Sequence, residues 1–235
     1  MRLVVARSAA EFDRKAADLV REAAGSRSGA AIGLPSGETP AGMYAELAMQ
    51  PGALAAARWF AIDELHGVAR EHPATNASYF RRHAPGLAVD VMDSEAVDAE
   101  TECARFAQRI ADAGGLDLVV LGIGANGHIA FNEPGSAFGS RARRVTLAEE
   151  TRRQYAAQFA TLDETPGRGL TLGIADLLSA RRVLLLARGE EKAAAIAAAL
   201  EAPASEAVPA SALQRHDDVT VLLDAGAASK LAVSG

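Results

Sequence analysis

Short apolar runs alternate along the chain with amphipathic stretches in which apolar positions recur at helical spacing. The runs are rich in Val, Leu and Ile and have the length that is typical of buried β-strands. They lie at residues 3–6, 29–34, 59–62, 88–92, 116–123, 182–187 and 219–223. The stretches between them predict helices at residues 8–24, 40–48, 99–113 and 190–200, the second of which Thr39 and Pro40 would cap and begin.

Strands that alternate with helices predict a mostly parallel sheet with helices on both faces. No repeat, linker or change in composition divides the chain, so we expect residues 1–235 to form one doubly wound α/β domain. In such sheets ligands bind beyond the carboxyl ends of the strands, where the strand order reverses. Each polar cluster described below follows an apolar strand, so all of them can meet at that edge.

The composition excludes several classes of function. A net charge of −6 and an isoelectric point of about 5.4 argue against a broad surface for nucleic acid or for an anionic membrane. A single cysteine, Cys103, excludes an internal disulfide, and its helical surroundings predict a structural thiol. The chain shows neither a signal-peptide pattern nor an apolar run of bilayer length, so we expect a cytoplasmic protein.

The segment GIGANGHIAFNEP, residues 122–134, has the G-x-G-x-x-G spacing of a dinucleotide-binding turn. Such a turn leads directly into a helix, but a proline and another glycine soon follow here, and the acid expected about 20 residues later is missing. An active-site loop fits better, with glycines that let backbone N–H groups approach a substrate oxygen. In that loop His128 would move protons and Glu133 would orient it. A lone histidine is more often structural, but the flanking Asn126 and Glu133 favour the catalytic interpretation.

The segment GLPSGETP, residues 33–40, pairs a strand end with Ser36, Gly37 and Thr39 at the start of a predicted helix. Hydroxyls, free N–H groups and the helix dipole suit a phosphate, although the loop lacks the Lys-Ser/Thr of a Walker motif. A plain turn capped by Thr39 explains the same residues equally well.

The segment FAIDELHG, residues 60–67, places Asp63 and Glu64 at the end of an apolar strand. Burial and a like-charged neighbour can raise the pKa of one of them into the range of a general base. In an extended segment the two side chains point to opposite sides, so at most one faces a given pocket. The alternative is a solvated turn.

Lys192 lies in the first turn of the predicted helix that follows Gly189. A cation there opposes the helix dipole, which is easier to understand if the lysine meets an anion. A simple surface lysine is the alternative. The remaining histidines show no metal-ligand spacing, and no Cys/His cluster occurs, so we predict no metal site.

These segments closely resemble the glucosamine-6-phosphate deaminases, within the wider superfamily of sugar-phosphate isomerases and 6-phosphogluconolactonases. The similarity runs in order along nearly the whole chain, through PSGETP, IDELHG…HP…N..YF, GIG..GHIAFNEP, RGLTLGIADLL, G..K and VPASALQRH. HIAFNEP is the specific part, because lactonases typically have a Ser-Leu-Phe-Pro-like run after the histidine. The resemblance implies a Rossmann-like fold of the sugar-phosphate isomerase type. It also implies a deaminating isomerase that converts a 2-amino-2-deoxyhexose 6-phosphate into a ketohexose 6-phosphate and ammonia without a redox cofactor or metal.

The resemblance also implies roles for individual residues. Asp63 matches the base that moves the C2 proton, His128 the acid/base that opens the ring, and Glu133 its charged partner. Asn126 stands where some members have Asp and others Asn, so His128 would rely mainly on Glu133. The residues expected to bind the substrate and its phosphate are Ser36, Gly37, Thr39, Gly124 and Lys192.

The chain departs from the family pattern in two places. Glu38 sits in the phosphate loop where a small residue is usual, and we expect its carboxylate to turn away from the phosphate. A phosphate-binding arginine found in many deaminases is absent from YAAQF, residues 155–159, and Arg168 or Arg152 would have to replace it. This region looks more like galactosamine-6-phosphate isomerase relatives, so the C4 epimer of the substrate is open.

Two alternatives to a deaminase stay open. In a lactonase, His128 would activate water and Asp63 would have no role at C2. A regulator that binds sugar phosphates without catalysis would not need Asp63, His128 and Glu133, all of which are present. The expected partner is a small-molecule sugar phosphate, not nucleic acid or membrane, and the sequence does not decide between a monomer and a homo-oligomer.

Overall fold

The computed structural model describes residues 1–50, 52 and 54–232. Its strands are β1 (Arg2–Val5), β2 (Ala31–Leu34), β3 (Arg58–Ala61), β4 (Asp63–Leu65), β5 (Val89–Asp90), β6 (Leu118–Gly122), β7 (Arg143–Thr146), β8 (Arg168–Thr171), β9 (Val183–Ala187) and β10 (Val219–Leu223). Its α-helices are α1 (Ala9–Ala24), α2 (Ala41–Ala48), α3 (Asn76–His83), α4 (Ala99–Asp112), α5 (Glu149–Tyr155), α6 (Ile174–Leu178) and α7 (Ala193–Leu200). Short 3₁₀ helices occur at Ala156–Gln158, Glu190–Lys192 and Pro209–Arg215.

A seven-stranded sheet in the order β1-β10-β9-β6-β2-β3-β5 forms the centre of the fold. All of its neighbouring strands pair in parallel. The predicted α/β class, with a mostly parallel sheet, is therefore confirmed. Each predicted strand is present, with ends that differ by up to two residues from the apolar runs, apart from β5, which is reduced to Val89–Asp90.

Side chains that alternate along the strands build two apolar layers, one on each face of the sheet. In β6, Leu118 and Val120 pack towards α1, α2 and α3, whereas Val119 and Leu121 pack towards α4, α6 and α7. This is the period of two that a doubly wound sheet requires. Cys103 is buried in the second layer, as a structural thiol would be.

Local capping explains where several helices begin. The Ser8 hydroxyl accepts a hydrogen bond from the Glu11 N–H (3.2 Å) and caps α1. The Asp98 carboxylate caps α4 in the same way. The predicted cap by Thr39 is wrong, because Pro40 occupies the N-cap position of α2 without a side-chain bond. The Thr39 hydroxyl is therefore free of that structural role.

A second sheet of three antiparallel strands, in the order β4-β8-β7, was not predicted. Asp63 pairs with Thr171, and Thr171 in turn pairs with Arg143. β7 and β8 read RRVT and RGLT, so they lack the apolar run by which the strands of the large sheet can be recognised. This small sheet fixes the backbone of Asp63 beyond the carboxyl end of β3.

Candidate active site

A cavity of about 720 Å³ opens at the carboxyl ends of β9, β6, β2 and β3, which are neighbours in the large sheet. The strand order reverses between β6 and β2, because β3 and β5 extend from β2 in one direction and β9 and β10 extend from β6 in the other. Parallel sheets bind ligands at such a reversal, and the volume suits a small molecule. Most residues that the sequence assigned to the site line this cavity, namely Ser36, Gly37, Thr39, Asp63, Gly124, His128 and Lys192.

The loop after β2 presents backbone donors to the cavity end that we assign to an anion. Gly37 has a φ of 108°, a left-handed conformation that favours glycine. The Tyr44 hydroxyl donates to the Pro35 carbonyl (2.6 Å), and the Tyr79 hydroxyl donates to the Gly37 carbonyl (2.6 Å). Among the described residues, the N–H groups of residues 36–39 donate no hydrogen bond. Two carbonyls of the loop are thus engaged by tyrosines, whereas its free N–H groups and the Thr39 hydroxyl are left for a ligand, and the Ser36 hydroxyl meets Tyr155.

Two cationic side chains among the described residues, Lys192 and Arg82, border the cavity with this loop. Lys192 belongs to the 3₁₀ helix that follows β9. Arg82 lies in the last turn of α3, and its Nη2 donates to the Pro73 carbonyl (2.9 Å). Tyr79 lies one turn before Arg82, and its hydroxyl bonds the loop directly, so this face of α3 is beside the loop after β2.

Glu38 also borders the cavity, and it is exposed at the rim. Its carboxylate is therefore solvated and not buried against the loop. An exposed charge at this position weakens the binding of an anion through space and is screened by salt.

Asp63 and Glu64 point to opposite sides of β4, as strand alternation predicts. Asp63 lines the cavity and is 7% exposed. Glu64 is fully buried on the other side and accepts hydrogen bonds from the N–H groups of Leu65 (2.8 Å), Asn76 (2.9 Å) and Ala77 (3.2 Å). One carboxylate therefore faces the cavity, whereas the other anchors the N-terminus of α3.

The electrostatic surroundings of Asp63 suit a general base. Burial raises the pKa of Asp63 to about 6, although a hydrogen bond from Asn76 and the charge of His128 lower it in part. Burial likewise raises the pKa of Glu64 to about 7, against the backbone bonds that lower it. At neutral pH the Asp63 carboxylate is mostly ionised, yet it accepts a proton far more readily than an exposed aspartate.

His128 is held by Glu133, whose two carboxylate oxygens both accept hydrogen bonds from other groups. The Glu133 Oε2 atom lies 3.5 Å from His128 Nδ1 and accepts a bond from Asn126 Nδ2 (3.0 Å). Glu133 Oε1 accepts bonds from the Thr151 hydroxyl (2.6 Å) and the Ala148 N–H (3.2 Å). Burial on its own raises the pKa of Glu133, but the bonds from His128, Thr151 and Asn126 outweigh it and lower the pKa to about 2. Glu133 is thus ionised at neutral pH and places a negative charge beside the His128 ring.

Glycines make room for the histidine. A side-chain carbon on Gly124 would overlap the His128 ring, and one on Gly127, where φ is 84°, would press on Val208. Ala130, which lines the cavity, has a φ of 48°, a conformation that non-glycine residues rarely adopt. Gly124, which belongs to the spacing typical of a dinucleotide turn, therefore allows the His128 ring to pack directly against the main chain.

The segment from α5 to the following 3₁₀ helix forms a wall of the cavity that was not predicted. Thr151, Gln154, Tyr155 and Gln158 line it at helical spacing. Tyr155 packs edge-on against Phe131, with ring centroids 6.0 Å apart. The spacing is visible in the sequence, but polar side chains at these positions resemble a solvated helix face.

The structure does not bring Arg168 or Arg152 to the cavity. Arg168 begins β8, three residues from Thr171, the partner of Asp63, which is about 10 Å along a strand. Arg152 donates to the carbonyls of Leu162 (2.6 Å) and Thr165 (3.0 Å) and therefore holds the chain after α5. Asn126 is likewise not in the cavity wall, and it acts through Glu133 and through the His128 N–H (3.1 Å).

Two further findings concern cofactors and membranes. Within residues 1–50, 52 and 54–232, no group of three or more His, Cys, Asp or Glu side chains is arranged to hold a metal ion. No helix in that part of the chain is both long and apolar enough to cross a membrane.

The fold and the cavity together define an α/β protein in which Asp63, His128 and the loop after β2 line one cavity at the reversal of a parallel sheet. The chain belongs to the family of glucosamine-6-phosphate isomerases and 6-phosphogluconolactonases, whose model matches residues 5–222.

The similar proteins include both glucosamine-6-phosphate deaminases and 6-phosphogluconolactonases. A glucosamine-6-phosphate deaminase of Bacillus velezensis is 38% identical over 239 residues, which covers 97% of this chain and 99% of the relative. The solved structure of a monomeric glucosamine-6-phosphate deaminase has a TM-score of 0.93 at 37% identity and covers 98% of this chain and 100% of its own. A 6-phosphogluconolactonase of Trypanosoma brucei has a TM-score of 0.78 at 22% identity over 98% of both chains, a likeness of fold alone.

Proposed function

We propose that this chain is a deaminating aldose–ketose isomerase that converts glucosamine 6-phosphate and water into fructose 6-phosphate and ammonia. One observation carries the proposal: Asp63 and His128 line the same cavity, and they follow β3 and β6, the two strands that flank β2 and its anion loop. A lactonase would need the histidine and an anion site, but not a buried carboxylate base opposite them. The curated deaminase that aligns over nearly the full length supports the same choice.

The first step is opening of the sugar ring, which requires a proton on the ring oxygen as its bond to C1 breaks. His128 is the proton donor and acceptor in this step, because it lines the cavity and an imidazole can both donate and accept a proton. Glu133 keeps the imidazole in one orientation through its contact with Nδ1. Thr151 and Asn126 hold Glu133 in turn, so the ring cannot rotate freely away from the substrate.

The second step is transfer of a proton from C2 to C1 of the open sugar. The carbonyl at C1 acidifies the C2–H bond, and Asp63 removes that proton. The backbone around Gly122 and Gly124 lines the cavity beside His128 and is available to stabilise the enolate oxygen. Transfer of a proton from the substrate's ammonium group to the enolate oxygen, and return of the first proton to C1, give a hydroxyl at C1 and an iminium at C2. Addition of water there and loss of ammonia give the ketose.

The phosphate end of the substrate is assigned to the loop after β2. Free N–H groups and hydroxyls of residues 36–39 bind the phosphate oxygens, with Lys192 as one counter-charge. Arg82 is the second counter-charge and takes the role of the arginine that is absent from residues 155–159. Anchoring the phosphate lowers the entropy lost when C2 meets its base, an effect that can reach several kcal/mol.

The proposal is tested by incubating the protein with glucosamine 6-phosphate, galactosamine 6-phosphate and 6-phosphogluconolactone, and by measuring ammonia and acid. We expect ammonia and fructose 6-phosphate from the first compound. Ammonia from the galactosamine epimer alone would move the assignment to that substrate. Acid from the lactone with no ammonia from either amino sugar would establish the lactonase instead.

A further inference from the structure

The side-chain amide of Asn76 is committed entirely to Asp63. Asn76 is the first residue of α3 and is 3% exposed. Its Nδ2 donates to the main-chain carbonyl of Asp63 (2.6 Å) and to Asp63 Oδ1 (2.7 Å). An amide nitrogen has two hydrogens, so both are used on the same aspartate. The amide therefore fixes the torsion of the carboxylate relative to its own backbone.

The helix that carries Asn76 is itself fastened to the same strand. The Asn76 N–H donates to Glu64 Oε1 (2.9 Å), and the Thr75 hydroxyl caps α3 by accepting from the Ser78 N–H (3.2 Å). Glu64 follows Asp63 in β4, so the donor and the base are held by adjacent residues of one strand. Movement of Asn76 away from β4 would break its side-chain bonds to Asp63 and its main-chain bond to Glu64.

This geometry leaves one carboxylate oxygen for chemistry. Oδ1 of Asp63 is bound to Asn76, whereas no hydrogen bond to Oδ2 occurs among the described residues. Asp63 lines the cavity, so Oδ2 is the oxygen available to a substrate proton. We propose that Asn76 is a positioning residue for the reaction, which holds the Asp63 carboxylate so that Oδ2 faces C2 of the sugar. This inference rests on the proposed function, because the role of Asp63 at C2 comes from it.

The titration of Asp63 gives the inference a measurable signature. The titratable groups that interact with it are His128 beyond β6, Glu64 on its own strand, Tyr44 on α2 and Tyr155 on α5. The hydrogen bond from Asn76 to the carboxylate lowers the pKa of Asp63 and so opposes the effect of burial, which raises it. Loss of this donor raises that pKa and leaves the other groups in place.

The test compares Asn76→Asp and Asn76→Ala with Ser78→Ala as a matched control. Asp keeps the size of Asn and suits the first turn of a helix, but it offers an acceptor to Asp63 instead of two donors. Ser78 lies on the same helix, and its buried hydroxyl has no hydrogen-bond partner in the described part of the chain. Its removal deletes a buried polar atom from the same helix without touching Asp63.

For Asn76→Ala we expect kcat at neutral pH to fall about tenfold or more, with KM for glucosamine 6-phosphate changed by less than about twofold. The acidic limb of the kcat profile moves up by roughly one to two pH units, the effect expected from losing a hydrogen bond to a charged group. In Asn76→Asp the limb moves further, because two neighbouring carboxyls share one proton. Ser78→Ala keeps the profile of the unaltered protein. Acidic limbs that stay in place in both Asn76 variants would overturn the inference.

A measurement on the unaltered protein separates this inference from the proposed function and from loss of folding. The chemical shifts of the Asn76 side-chain amide should change with pH with the same midpoint as the carboxyl carbon of Asp63. The Asp63 signal is assigned as the carboxyl resonance that disappears in Asp63→Asn. A common midpoint supports the contact even if no ammonia is released, in which case only the proposed function fails. Amide signals that do not respond as Asp63 titrates overturn the inference even if ammonia is released.

Discussion

Replacing Asp63 by Asn removes a buried negative charge while it keeps the size of the side chain. The pKa of this carboxyl rises from an ordinary value of 3.8 to about 6 in the folded protein, because burial disfavours the charged form. The folded state therefore holds the proton more tightly than the unfolded chain does. The protonated carboxyl therefore contributes to the free energy of unfolding. This contribution is fully present below pH 3.8 and is lost as the pH rises through about 6. The ionised carboxylate thus destabilises the fold at neutral pH.

The size of this penalty follows from the two pKa values. The difference between 3.8 and about 6 corresponds to about 3 kcal/mol at pH 7. At pH 4, where the carboxyl is mostly protonated in the folded state, the same relation gives about 0.5 kcal/mol. Asparagine carries no such charge and can still accept the hydrogen bond from Asn76. We therefore expect Asp63→Asn to be more stable than the unaltered protein by about 1 to 3 kcal/mol at pH 7, and by much less at pH 4.

Urea denaturation at pH 7 and pH 4 measures the free energy of unfolding of both proteins. The exposed Asp163 supplies the control, because Asp163→Asn changes the net charge equally without removing a buried group. In parallel, exchange of the C2 proton with solvent deuterium and release of ammonia should fall below detection in Asp63→Asn. Affinity for inorganic phosphate should be unchanged. A variant that is less stable at pH 7, or whose gain is the same at both pH values, would refute the electrostatic reasoning. Unchanged C2 exchange would refute the assignment of Asp63 as the base.

Three further predictions concern the other charges of the site. Glu133→Gln should lose about 1 to 2 kcal/mol of stability at pH 7, because the pKa of Glu133 is lowered from 4.5 to about 2 and solvent screens part of the interaction. This contribution is present above pH 4.5 and is lost as the pH falls towards 2. Urea titration at pH 7 and pH 3 checks this, and an equal loss at both pH values would contradict it. Lys192→Ala and Arg82→Ala should each raise KM for glucosamine 6-phosphate about tenfold or more and weaken inhibition by inorganic phosphate, with kcat less affected; an effect on kcat alone would remove that residue from the phosphate site. Glu38→Gln should lower KM about twofold to fivefold at low salt, and the gain should shrink as salt is added; a rise in KM would show that Glu38 supports the loop.

The parts of the fold that could be predicted are those with a strong local signal. Buried parallel strands such as β6 and β9 are continuous apolar runs, and their alternation with helices determines the class. β7 and β8 are short, polar and paired with segments distant in the chain, so no local pattern distinguishes them from loops. The helix expected at residues 190–200 begins as a 3₁₀ turn after Gly189, whose φ is 92°.

The candidate site divides in the same way. Asp63, His128 and Lys192 each follow an apolar strand, so their convergence could be inferred from the topology of parallel sheets. Arg82 and Asn76 belong to a helix that reaches the cavity from the side, and nothing local in the sequence shows which face of α3 it presents. Arg168 shows the limit of sequence reasoning, because it begins a signature segment but lies at the end of β8 away from the cavity, and the same sequence offered Arg152 as an alternative.

The anion loop follows β2, which lies between β3 and β6, the strands that precede Asp63 and His128. The proposed site therefore selects substrates by the length of their carbon chain. In the proposed binding mode the phosphate is fixed at one end and the proton-transfer groups at the other, so the number of carbons between them is measured. Each carbon–carbon bond spans about 1.5 Å. An aminopentose 5-phosphate held by the same loop would therefore leave its C2 more than 1 Å short of the base, and misplacement on that scale can cost about 10²-fold in rate.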